Sequence, residues 1–152
     1  MARRSCRTLG PTCISRMSTN AADTLARRHE LHGLQPVLPV ADVSASAAFF
    51  EQVLGFEVEF LVGTPATHGR VRSGDGTYGQ PIFIQLGLAD PAQFKPCGEL
   101  RIHVGHELDA LFNTYAERGA RVVAAPADQP WGLREFVIAE PNGHLIRFCA
   151  EI

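Results

Sequence analysis

Residues 34–60 read LQPVLPVADVSASAAFFEQVLGFEVEF, and the changes of period within that stretch decide the fold. Leu34 to Val40 is a short apolar run, and Asp42 follows it as a residue whose side chain can cap a helix N-terminus. Val43, Ala47, Phe50 and Leu54 then recur at helical spacing until Gly55 stops the helix. From Phe56 to Val62 the period falls to two, which places Phe56, Val58 and Phe60 on one strand face. Short strands are expected again at 69–72 and 81–86, separated by the glycine-rich turn 73–79. The unit is β-α-β-β-β.

The same plan returns after a proline-rich linker at 90–96. Leu100, Ile102 and Val104 mark a strand, and Leu108, Leu111, Phe112 and Tyr115 an amphipathic helix that Gly119 ends. Strands follow near 121–124, 135–139 and 144–149. A shift of 64 lays Gly55 on Gly119, Gly79 on Gly143, Leu38 on Ile102, Val40 on Val104 and Ile82 on Ile146. Agreement at strand, helix end and final turn together indicates a duplicated module. The expected fold is α+β: two tandem βαβββ modules, at about 33–88 and 98–152, forming a concave mixed sheet around a cavity with helices outside. The helix-face aromatics Phe50, Phe112 and Tyr115 read as core.

The bulk numbers agree with one domain at 33–152. The chain has 152 residues, 45% hydrophobic and 20% charged, with no apolar run long enough to span a bilayer. Its net charge of −2 is unevenly spread. Residues 1–32 hold six arginines against Asp23 and Glu30, which leaves eight Lys+Arg against fourteen Asp+Glu, a net of −6, in the remainder. An acidic body argues against nucleic acid as a partner. The four cysteines (Cys6, Cys13, Cys97, Cys149) show no CxxC pair, which fits reduced thiols in a cytoplasmic protein. Residues 1–32 are expected to be a flexible leader, with Met17 an alternative start and His29-Glu30-His32 lacking HExxH spacing. Ser73-Gly74-Asp75-Gly76 is a turn, not a nucleophile elbow.

The opening PVLPVADV…FFEQVLGFEVEF and the closing QPWGLREFVIAEPNGHLIRF together resemble the glyoxalase/bleomycin-resistance (vicinal oxygen chelate) superfamily over about 34–151. The opening is common across that superfamily. The tandem of Pro130-Trp131-Gly132 and Arg134-Glu135-Phe136 before the Pro-Asn-Gly turn resembles the antibiotic-binding branch more specifically.

Catalytic members of the superfamily hold a divalent metal on equivalent strand positions of the two halves. The resemblance puts those positions at Gln35, Phe83, Glu99 and Arg147. Phe83 has no donor and Arg147 is a fixed cation, so the quartet reads as degenerate, with Glu99 and Arg147 suited to an ion pair. His103 shares a strand face with Glu99 but would be a strained substitute ligand. Arg101 and His103 stand where related binders carry stacking aromatics, and a guanidinium can also stack. Trp131 reads either as a loop anchor or, by the resemblance, as the wall of a groove between two subunits. Phe60 and Tyr78 offer further aromatic surface, with core packing the simpler role for Phe60.

The expected function is therefore a metal-free, cofactor-free homodimer that sequesters a bleomycin-like or other aromatic small molecule through Trp131, Phe60, Phe83, Arg101 and His103. The alternative is a metal-dependent lyase, isomerase, thiol transferase or dioxygenase of the same superfamily.

Overall fold

Pro36 decides where the first strand begins. In the computed structural model, which describes residues 33–74, 81–92, 94–96 and 98–152, strand β1 (Val37–Val40) pairs in parallel with β4 (Ile82–Leu88) from Val37 opposite Gln85. The Gln85 N–H donates to the Pro36 carbonyl at 2.9 Å. The next rung would need an N–H at residue 36, which proline lacks, so the ladder stops there. The leader, His29, Glu30, His32, Tyr78, Gly79 and the cysteines at 6, 13 and 97 lie outside the described residues.

Between β1 and β4 the chain forms helix α1 (Val43–Gln52), β2 (Glu57–Gly63) and β3 (Ala66–Ser73). Asp42 caps α1, its Oδ1 accepting from the Ala45 N–H at 2.9 Å. The second half repeats the order with β5 (Glu99–His103), α2 (Leu108–Glu117), β6 (Arg121–Asp128), β7 (Leu133–Ala139) and β8 (Leu145–Glu151). The sheets run β1-β4-β3-β2 and β5-β8-β7-β6, each with one parallel pair and two antiparallel pairs. This is the expected α+β pair of βαβββ modules. Both helices end before a glycine in the left-handed region, Gly55 (φ 71°) and Gly119 (φ 86°).

One core serves both modules. Leu38, Val40, Val43, Phe50, Val71, Ile84 and Leu86 from the first meet Ile102, Leu108, Tyr115, Phe136, Ile146 and Phe148 from the second. Phe136 stacks on Phe148 at 4.9 Å between centroids, and Tyr115 meets Phe148 edge-on at 5.3 Å. Each such buried side chain contributes about 1.5 to 3 kcal/mol over exposure. The Pro-Asn-Gly turn adds polar ties between the modules. Asn142 accepts from the Ala41 N–H at 2.8 Å and donates to Ser46 Oγ at 2.9 Å, while His144 Nε2 lies 2.6 Å from the Pro39 carbonyl oxygen.

The pairing corrects two sequence expectations. Phe60 does not share a face with Phe56 and Val58. A bulge at Glu59 resets the alternation, so Val58 faces Val71 in the core while Phe60 faces Arg70 on the other side of the sheet. The repeat offset is also not uniform. Gln85 in β4 and Cys149 in β8 are 64 apart, but their cross-strand partners Arg70 and Glu135 are 65 apart. Their parallel partners, Val37 and His103, are 66 apart.

Candidate ligand-binding site

Strand alternation divides each module into a helix-covered face and a face without a helix. In the second module the latter carries Glu99, Arg101 and His103 from β5, Arg147 and Cys149 from β8, and Glu135 from β7, because directly paired residues share a face. Arg147 is the hub. Its Nε and Nη2 donate to the two oxygens of Glu99 at 2.6 and 2.8 Å, and its Nη1 donates to Glu135 Oε2 at 2.8 Å. The ion pair expected of Glu99 and Arg147 thus forms, in bidentate geometry.

The hydrogen bonds that Arg147 donates hold the Glu99 carboxyl below the ordinary carboxylate range, and the same bonds push the guanidinium further up. Glu135 has a fully buried side chain. Its second oxygen accepts from Trp131 Nε1 at 3.1 Å and lies 3.6 Å from Arg101 Nη1. Burial pushes the Cys149 thiol up, so at neutral pH it is a thiol and a poor nucleophile.

Trp131 sits in the β6–β7 hairpin loop with 60% of its surface exposed. The loop's backbone is tied by Gln129 N–H to the Leu133 carbonyl, Gly132 N–H to the Gln129 carbonyl and Ile152 N–H to the Gly132 carbonyl. Just after it, alternation splits the Arg134-Glu135-Phe136 triplet. Arg134 bridges Asp109 of α2 and Asp128, Glu135 enters the charge network, and Phe136 is core.

On the corresponding face of the first module, Arg70 lies 5.2 Å from the ring centroids of both Phe60 and Phe83 and pairs with Glu59. Gln35 Oε1 accepts from Gln85 Nε2 at 2.7 Å, and Gln85 Oε1 lies 2.9 Å from His68 Nε2. The sequence-derived residues therefore fall into two groups. Glu99, Arg101, Arg147 and Trp131 meet through Glu135. Phe60 and Phe83 meet through Arg70, and Gln35 is joined to Gln85.

Arg101 and His103 also border a cleft of about 500 Å³ between the modules, whose apolar walls include Ile82, Ile84, Leu100 and Ile102. That volume is within the range of small-molecule sites. The four family metal positions do not fit a metal. Both Glu99 oxygens are taken by a guanidinium, Arg147 is that cation, Phe83 has no lone pair and Gln35 is engaged elsewhere. Among the described residues no three His, Cys, Asp or Glu side chains converge as a metal site. None of the helices is long and apolar enough to cross a membrane, again among the described residues.

Glu135 is the site residue that sequence reasoning missed. An offset of 64 lays it on Val71, a core position, whereas the pairing makes Arg70 its counterpart.

Comparison with known proteins agrees with this architecture. A family model of the Glyoxalase/Bleomycin resistance protein/Dioxygenase superfamily matches residues 32–148. The chain is 27% identical to the phenazine antibiotic resistance protein EhpR of Enterobacter agglomerans, over 72% of this chain and 84% of the relative. A bleomycin-binding protein from bleomycin-producing Streptomyces verticillus, solved with copper(II)-bleomycin, superimposes with a TM-score of 0.63 at 26% identity, over 82% of this chain and 99% of that one. A glyoxalase-related enzyme from Clostridium phytofermentans superimposes at 0.67 with 21% identity, over 83% and 99%, which shows the fold alone.

Proposed function

The chain belongs to the Glyoxalase/Bleomycin resistance protein/Dioxygenase superfamily, and on that premise we propose that it is a metal-free, cytoplasmic binding protein that sequesters an aromatic small molecule. One observation carries the reading. The strand face that a metal would need is filled by the Glu99–Arg147–Glu135 network, while an exposed indole is attached to the same network. Carboxylates saturated by a guanidinium neither ligate a cation nor abstract a proton, but a flat indole and a guanidinium plane can stack on a flat ring. Trp131 and Arg101, with His103 on the cleft wall, are the contacts proposed in the second module. Phe60 and Phe83, already lying against Arg70, are those proposed in the first. Protection would be stoichiometric, with no bond broken.

We assign the working unit as a homodimer, because Trp131 and the neighbouring Ile152 leave 60% and 68% of their surfaces exposed on one chain. Sedimentation should give a dimer, and a monomer at micromolar concentration overturns that assignment.

Titration of the single tryptophan with a phenazine and with bleomycin tests the binding. Quenching that saturates at one ligand per site is expected. Trp131→Ala should raise the dissociation constant roughly thirtyfold, the loss of about 2 kcal/mol at a hot spot, with a stability cost of only about 1 kcal/mol from the lost bond to Glu135, since the indole is largely exposed and Arg101 lies 3.6 Å from the same oxygen. A mutant that melts far below the parent yet binds normally when folded would make Trp131 an anchor. One tightly held metal per chain would favour the metal-dependent enzyme instead.

A further inference from the structure

We infer that Glu135 is a positioning residue that presents Trp131 to the ligand, holding the indole N–H on one carboxylate oxygen while Arg147 holds the other. The inference rests on the proposed stacking role of Trp131. Three observations on different elements support it. The carboxylate is fully buried on β7, out of reach of bulk solvent, so it calls for donors within the protein. Its two oxygens meet different donors, Trp131 Nε1 from the β6–β7 loop at 3.1 Å and Arg147 Nη1 from β8 at 2.8 Å. Arg147 is in turn fixed by two further bonds to Glu99 on β5. The orientation of an exposed side chain on a loop is thereby referred to the centre of a sheet.

The loop's own hydrogen bonds fix its backbone but leave the indole free to rotate. An exposed, unrestrained indole would pay its rotamer entropy on every binding event. A tether that holds it beforehand removes that cost and improves affinity about fivefold. The site also specifies the residue type. Two N–H donors converge on one side chain, so both of its oxygens must accept. Glutamate accepts at both, whereas glutamine accepts at one and presents N–H groups at the other. Glu135→Gln therefore cannot serve Trp131 and Arg147 together, although it matches glutamate in shape.

The test uses the full chain. A protein with one tryptophan gives one indole N–H signal in a proton–nitrogen correlation spectrum. In the parent that signal should lie in the hydrogen-bonded region and exchange with water more slowly than free indole. In Glu135→Gln it should move toward free indole while the rest of the spectrum stays folded. Calorimetry with a phenazine as probe then compares the parent, Glu135→Gln, Trp131→Phe (which keeps a ring and removes the N–H) and the double variant. Each single change should weaken binding about fivefold, and the double variant should be little worse than either, because both break the same contact.

Additive losses, or an indole signal that Glu135→Gln leaves in place, would overturn the inference. If the phenazine does not bind the parent, the proposed function loses its support, and the indole signal alone decides whether Glu135 holds Trp131. Should Glu135→Gln fail to fold, fast indole exchange in the parent is the overturning result and slow exchange the supporting one.

Discussion

Replacing Arg147 with methionine keeps a long apolar stem on β8 and deletes three donated hydrogen bonds, two to Glu99 and one to Glu135. The two carboxylates respond differently. Glu99 keeps 31% of its side chain in solvent and rehydrates, whereas Glu135 has none and cannot. The cost therefore falls on Glu135. Removing one partner of a buried ion pair costs about 3 to 5 kcal/mol. Because Trp131 Nε1 and Arg101 still reach Glu135, the low end applies, about 3 kcal/mol.

For a unit of about 120 residues, Leu34–Ile152, that is a fall of roughly 12 °C in melting temperature at about 4 °C per kcal/mol. Urea and thermal unfolding at pH 7 measure it. Adding Glu135→Leu to the same variant should restore most of the loss, since an apolar pair replaces a stranded charge. Acidification should also narrow the gap. In the parent, Glu99 is depressed by its bond from Arg147, so its stabilisation is present at neutral pH and is lost as the pH falls through the depressed folded value. A variant that melts within about 2 °C of the parent at pH 7, with a parallel pH profile, would refute the argument.

Asn142→Ala removes the contacts to Ala41, Ser46 and Glu140 and should cost about 2 kcal/mol in urea unfolding; a change under about 0.5 kcal/mol would show that the turn does not tie the modules. Burial pushes the Tyr115 phenol up to about 12 from 10.0. Its contribution is intact below pH 10 and lost as the pH rises toward 12, so Tyr115→Phe should flatten the alkaline limb of the stability profile. Chelator should leave the melting temperature of purified protein unchanged, and elemental analysis should find substoichiometric zinc, nickel, iron and manganese.

The parts of this molecule that were legible in sequence are those governed by short-range rules. Asp42, the helical spacing of Val43, Ala47 and Phe50, and Gly55 specify a helix with its start and stop locally, and the structure follows them. The Glu99–Arg147 pair was legible only through the family resemblance, which put both residues at metal-ligand positions on neighbouring strands. Residues whose face depends on pairing were less so. The bulge at Glu59 turns Phe60 out of the core without leaving a mark in the alternating letters. Likewise, the extra residue that separates β3 and β7 from a uniform repeat hid Glu135 behind the counterpart assigned to a core valine. Parity in a strand is absolute, so an alignment error of one residue exchanges core for site.

The second-module network also governs how a guest arrives. Arg101 and Arg147 stand against Glu99 and Glu135, so the four charges cancel within a few ångströms. A cancelled quartet projects only a short-ranged multipole, which an ionic atmosphere with a screening length of about 8 Å at physiological salt has little left to attenuate. The quartet itself thus does not steer an encounter, and what salt dependence association has comes from the net −6 of the chain around it. Discrimination among aromatics at this face has to come after contact, in how long each remains.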